Sequence, residues 1–254
     1  MKINSKKLVE LILNEWDVID FTLIESKRND VEYWYRDAIE SLSVNIPNII
    51  EELAYLPEKS LASSLSRHTQ ELAGFLYVIG RPKEEWQKWN SIAALALFFA
   101  GDYMFAMHYA ILGGEFELLK MLPDKKPDTL QLEELIPWDI IKGTNYAKLN
   151  VKEDSEWDEA WKNIQLKIKY RDFENILDHF DMLITLYMEW TDWSTYEYLM
   201  HPVFPIGICS SLALTRELGG MLDFQTLSEE KKLLLEPGIV EITRNNFFRW
   251  VIEL

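Results

Sequence analysis

The stretch "DHFD", Asp178 to Asp181, sets two carboxylates beside an imidazole, residue types that trade protons in general acid and base catalysis. On a helix, however, Glu174, Asp178, Asp181 and Thr185 share one polar stripe, while His179 points about 100° away from Asp178. The spacing predicts a solvated helix face, since proton transfer there would need a third group from elsewhere in the fold. Cys209-Ser210-Ser211 offers nucleophiles, but no Gly-x-Ser-x-Gly elbow surrounds it and its segment is apolar, which predicts inert packing. Gly113-Gly114 has neither a GxGxxG nor a GxxxxGK[ST] frame, and acids follow it where a phosphate loop carries lysine. Among the four histidines, His68, His108, His179 and His201, no two stand three or four residues apart, the spacing that puts two metal ligands on one helical face. His68 lies within an apolar seam and reads as a hydrogen-bonded core histidine. These patterns predict no catalytic residue, no metal site and no cofactor.

Two other segments have the composition of a protein-binding surface. "EDSEWDEAW", residues 153–161, concentrates five acids and two tryptophans. Ser155 with Asp158 three residues on resembles a capping box, and acids in a first turn suit the helix dipole, so local structure explains much of the cluster. Asp154, Glu156 and Asp158 would equally suit a basic partner. "EWTDWSTYEY", residues 189–198, interleaves three carboxylates with Trp190, Trp193, Tyr196 and Tyr198, types that anchor interfaces when exposed. Core packing competes for at least half of these aromatics. Glu189, Asp192, Trp193, Tyr196 and Glu197 are its candidate contact residues.

The elements that must position these segments are helices. Leu8, Ile12, Trp16, Ile19 and Leu23 recur at steps of three and four, the spacing of one helical face. Asp30 can cap a second helix, striped by Val31, Tyr35, Ala38 and Leu42, until Ile46-Pro47 forces the backbone out of helical geometry and restarts it. Leu61, Leu65, His68, Leu72, Phe75 and Ile79 make a narrow seam that Gly80-Arg81-Pro82 ends. The next helix thins from Trp86 and Trp89 to Ala93, Ala96 and Ala100, and Ala106 and Ala110 follow, as a tight antiparallel hairpin requires. Gly101 and Gly113-Gly114 read as helix stops, with Asp102 capping one successor and Glu115 and Glu117 favouring the start of the other. Trp157, Trp161, Ile164 and Ile168, then Phe173, Leu177, Phe180, Ile184 and Tyr187, give two more stripes, and Pro205 starts a helix that Gly219-Gly220 stops. Glu236 to Thr243 alternates weakly, which suits either a short strand near 238–243 or an extended loop. The architecture expected is all-α, an irregular bundle or solenoid of antiparallel helix hairpins. It is read as one domain over 1–254, with a possible subdomain seam at 123–152.

At 254 residues and 48% hydrophobic, the chain can bury a substantial core. A net charge of −16 repels nucleic-acid backbones and anionic membranes and favours encounter with a basic partner, although surplus carboxylates also simply solvate helix faces. A polar start and the lack of any eighteen-residue apolar run predict neither a signal peptide nor a membrane span, and a single cysteine is consistent with the cytoplasm.

"FPIGICSSLALTRELGG", with Phe204-Pro205, Gly207, Ala213 and Gly219, resembles immunity protein family 49 of bacterial polymorphic toxin systems. In that family a helix started by proline and glycine, carrying alanine and closed by glycine, lies late in the chain. The alanine-rich helix ending Ala100-Gly101-Asp102 is compatible with the family's middle. The resemblance implies a cytoplasmic protein that binds and neutralises a cognate toxin, basic by charge complementarity, without catalysis of its own. The alternatives are a helical scaffold or regulator that takes a peptide or small signal in a groove between helix pairs, and an enzyme built around His179 or His201.

Overall fold

Six of the eleven described α-helices stop on one device. The left-handed positions Gly80, Gly101, Gly114, Gly143, Arg171 and Gly219 each follow a helix, and the next amide bonds the carbonyl five residues back: Arg81 to Leu76, Asp102 to Leu97, Glu115 to Ala110, Thr144 to Asp139, Asp172 to Lys167 and Gly220 to Thr215. This double turn satisfies carbonyls that a helix end leaves without partners and reverses the chain within a few residues. Antiparallel neighbours follow directly. The structure, a computed structural model, describes residues 2–26, 33–56, 58–126, 132–144, 155–190, 205–241 and 249–253. Among these it is all-α, with eleven α-helices and one two-stranded ladder. No helix among the described residues is long and apolar enough to cross a membrane.

The chain divides into two compact units. The first comprises residues 1–122, 197–202 and 243–254. It contains α1 (Ser5–Trp16), α2 (Phe21–Ser26), α3 (Tyr33–Tyr55), α4 (Lys59–Val78), α5 (Lys83–Ala100) and α6 (Tyr103–Leu112), then a 3₁₀ helix, Phe116–Met121. β1 (Lys2–Ile3) pairs antiparallel with β2 (Ile252–Glu253), Ile3 opposite Ile252, so both ends of the chain are tied into this unit. α5 is its centre: from Trp86 to Phe98 every residue except Lys88 is buried, Gln87, Asn90 and Ser91 included. A helix covered on all sides needs small residues where its neighbours approach, which is why Ala93, Ala94 and Ala96 occupy its second half. The second unit comprises residues 123–196 and 203–242. It contains α7 (Leu132–Lys142), α8 (Glu156–Tyr170), α9 (Ile176–Trp190), α10 (Ile206–Glu217) and α11 (Glu229–Ile239). Its core includes Trp138, Trp161, Ile164, Phe180, Ile184 and Leu212.

Five local expectations are corrected. Ile19 and Leu23 do not continue α1, because the Asp20 carboxylate accepts the Leu23 amide hydrogen at 3.0 Å and restarts the chain as α2. α3 runs through Pro47 without ending. The ring removes one amide bond, but eight further helical residues on its C-terminal side carry the apolar positions Ile50 and Leu53 into the core. Asp102 occupies the capping position of α6 yet makes no side-chain capping bond. The element after Gly113-Gly114 is 3₁₀ rather than α, and Glu115 is buried instead of lining a solvated start. The stretch expected as a strand or extended loop begins inside α11: Gly238 and Ile239 are helical, and the Val240 amide still bonds the Glu236 carbonyl at 2.8 Å. A Cβ at Gly238 would lie 2.4 Å from the Cys209 carbonyl, so close packing against α10 sets this turn, not strand pairing. Residues 242–243 and the proposed cap Asp30 lie outside the described residues.

Candidate functional site

α8 and α9 are fifteen-residue helices joined by residues 171–175 and packed as an antiparallel hairpin. The charge of Lys167 on α8 acts on His179 of α9, as that alignment requires. The first turn of α8 and the last turn of α9 therefore lie at the same end, which brings together the described parts of the two acidic segments, residues 155–159 and 189–190. Glu156 and Glu159 are exposed on α8, and Glu189 is exposed on α9. Asp158 is half-buried and committed to the cap: Ser155 Oγ donates to its Oδ2 at 2.9 Å and accepts from its amide at 3.2 Å. Trp157 is half-buried and set edge-on to the fully buried Trp161, with centroids 6.1 Å apart, so the first of these tryptophans borders the acidic end and the second is core. Asp154, Asp192, Trp193, Tyr196 and Glu197 lie outside the described residues.

The helix sequence explains the polarity of this hairpin. α8 opens with Glu156, Asp158 and Glu159 and closes with Lys167 and Lys169, the order its dipole favours. Acid thus gathers at one end. The hairpin is held by Asp139 on α7, a buried carboxylate that accepts from Thr144 Oγ1 at 2.6 Å and from Gln165 Nε2 of α8 at 3.3 Å. On the other side Lys231 of α11 pairs with Asp181 of α9 at 2.5 Å.

That pair also decides what "DHFD" does. Asp181 is occupied by Lys231, Asp178 is exposed, and Phe180 between them is core. Burial and the Lys167 charge lower the pKa of His179. The stretch is a polar helix face with one cross-helix ion pair. Cys209 is buried, its Sγ 3.4 Å from the Leu234 carbonyl, and burial drives its thiol pKa up, away from the reactive thiolate. His68 is half-buried, with Nδ1 3.1 Å from Glu71 Oε2. His201 is outside the described residues, and no cluster of His, Cys, Asp and Glu among the described residues could hold a metal ion.

Two features of the first unit had no sequence signal. The first is a pair of buried titratable groups, His108 within α6 and Glu115 in the turn that follows it. His108 is fully enclosed, and burial lowers its pKa to about 4; Glu115 is 3% exposed, and burial raises its pKa to about 8. At neutral pH both are uncharged. Glu115 Oε1 meets no hydrogen-bond partner among the described residues.

The second is a cleft of about 160 Å³ formed by the end of α1, the loop after it, the end of α4 and the start of α5. Ile19, Leu23, Leu76 and Trp89 supply apolar lining, and Glu15, Asp20, Arg81, Glu85 and Lys88 supply charge. Arg81 grips Glu85 through two bonds of 2.6 and 2.8 Å, and Lys88 reaches Glu15 at 2.7 Å. Arg81 and Glu85, four residues apart on a helix start, were readable as a pair. Lys88 and Glu15 are 73 residues apart, and only the folded chain brings them together. No protein-family model matches the chain, and the comparisons with curated proteins and with solved structures likewise find no match.

Proposed function

We propose that this chain is an immunity-type protein, which binds a basic toxin domain and neutralises it by occupancy, without catalysis of its own. The observation that carries the reading is the acidic end of the α8–α9 hairpin, where the first turn of α8 meets the last turn of α9. Glu156, Glu159 and Glu189 stand exposed there beside Trp157. Surplus negative charge steers a basic partner at long range, and the aromatic edge supplies apolar contact once it arrives. A net charge of −16 and the resemblance of 204–220 to immunity protein family 49 point the same way. In this account the partner's active site is covered or distorted by contact with the hairpin end.

The test is co-expression with the product of the adjacent gene. A stoichiometric complex that co-purifies, weakens with rising salt and removes the partner's toxicity supports the reading. A non-toxic neighbour, or a toxic one that this protein neither binds nor neutralises, overturns it.

A further inference from the structure

We infer that the cleft between α1, α4 and α5 receives one cationic side chain, lysine or arginine, from a protein partner; the inference rests on the partner being basic, as proposed above. Size is the first argument. About 160 Å³ accommodates a single long side chain and falls below the roughly 300–1,000 Å³ of small-molecule and cofactor sites. Charge is the second. Among the described lining residues three carboxylates face two cations: Arg81 is paired with Glu85 and also feels the Asp20 charge, and Lys88 is paired with Glu15. Asp20 is the surplus. It is exposed at the rim, and among the described residues its carboxylate makes one hydrogen bond, the Oδ1 cap on α2. An anionic occupant would meet net repulsion there.

The lining is the third argument. Trp89 is held in place by Trp16, edge-on at 6.3 Å, and it borders the cleft together with Leu76. A methylene stem lies against the accessible apolar lining, Val18, Ile19 and Leu23, while its charged head stays at a polar rim; Trp89 and Leu76, each 3% exposed, form the floor. Lysine and arginine are the side chains that combine both parts.

The experiment follows the Trp89 indole N–H in two-dimensional NMR spectra of the full chain, assigned by its loss in Trp89→Phe. N-acetyl-arginine methylamide, N-acetyl-norleucine methylamide and N-acetyl-glutamate methylamide are titrated separately. The arginine compound is expected to move the Trp89 signal at the lowest concentration and to weaken as salt rises. Asp20→Asn keeps an oxygen to cap α2 but removes the surplus charge, and should weaken arginine binding about fivefold. Equal binding of the norleucine compound, or an unchanged arginine affinity in Asp20→Asn, overturns the inference. No Trp89 response to any compound overturns it as well. Because this assay contains no partner, failure here combined with loss of the adjacent gene's product on charge reversal at the α8–α9 end would sink the cleft assignment alone.

Discussion

Ser91 of α5 donates its hydroxyl hydrogen to the carbonyl of Gly113 at the end of α6, 3.0 Å away, and a Cβ built on Gly113 would stand 2.4 Å from that hydroxyl. Helix and turn touch through backbone at this point: the same Cβ would lie 2.7 Å from the Ser91 amide nitrogen. Two glycines that could be read as a ligand loop are thus the place where the central helix of the first unit is closed against its neighbour.

Gly113→Ala is therefore expected to destabilise the protein by about 1–3 kcal/mol, the usual range for overpacking a filled site. Chemical denaturation measures it. An unchanged midpoint would show that α5 and α6 do not approach this closely.

Glu115 in the same turn and His108 within α6 make stability depend on pH in two directions. Glu115 has its pKa raised from 4.5 to about 8, so between those values the unfolded chain releases a proton that the folded chain retains. Stability from this group is fully present below 4.5 and declines as pH rises to about 8. His108 has its pKa lowered from 6.5 to about 4, so its stability is present above 6.5 and declines as pH falls toward 4. Glu115→Gln should match the parent near pH 4 and exceed it increasingly up to pH 8, with denaturation midpoints as the readout. A variant that gains nothing at pH 8 would contradict the buried neutral acid.

Arg171 closes α8 with φ +52°, in a position that five other helix ends among the described residues give to glycine. It is exposed, and Asp172 and the backbone supply the cap bond. Arg171→Gly should relieve left-handed strain and raise stability by about 0.5–1 kcal/mol, net of the entropy that glycine adds to the unfolded chain. Thermal unfolding checks the sign.

The helices and most of their stops were legible because glycine punctuation and apolar steps of three and four are local signals. Pro47 misled because a local rule about proline was overruled by the apolar residues on its far side, Ile50 and Leu53, which gain more by staying helical and buried than one lost amide bond costs. Gly238 misled for a similar reason: its role is set by the Cys209 carbonyl on another helix. Glu156, Asp158, Glu159 and Glu189 were visible as acidic composition, yet the meeting of their helix ends follows from the length of the α8–α9 hairpin. The cleft was invisible, since Glu15 and Lys88 become neighbours only through packing of α1 on α5. Burial of Glu115 was hidden in the same way, because a glutamate after two glycines reads as solvated until the turn is seen folded inward.

The most direct measurement of the central claim is the equilibrium affinity for the product of the adjacent gene, comparing the parent with Glu156→Lys, Glu159→Lys and Glu189→Lys combined. All three side chains are exposed, so the fold and its unfolding midpoint should be retained. Each reversed interfacial charge is worth about fivefold, so affinity should fall roughly 100-fold, mainly through slower association at low salt, and protection of cells from the partner should be lost. A folded triple variant that binds and protects as the parent does would contradict the assignment of the α8–α9 end as the binding surface.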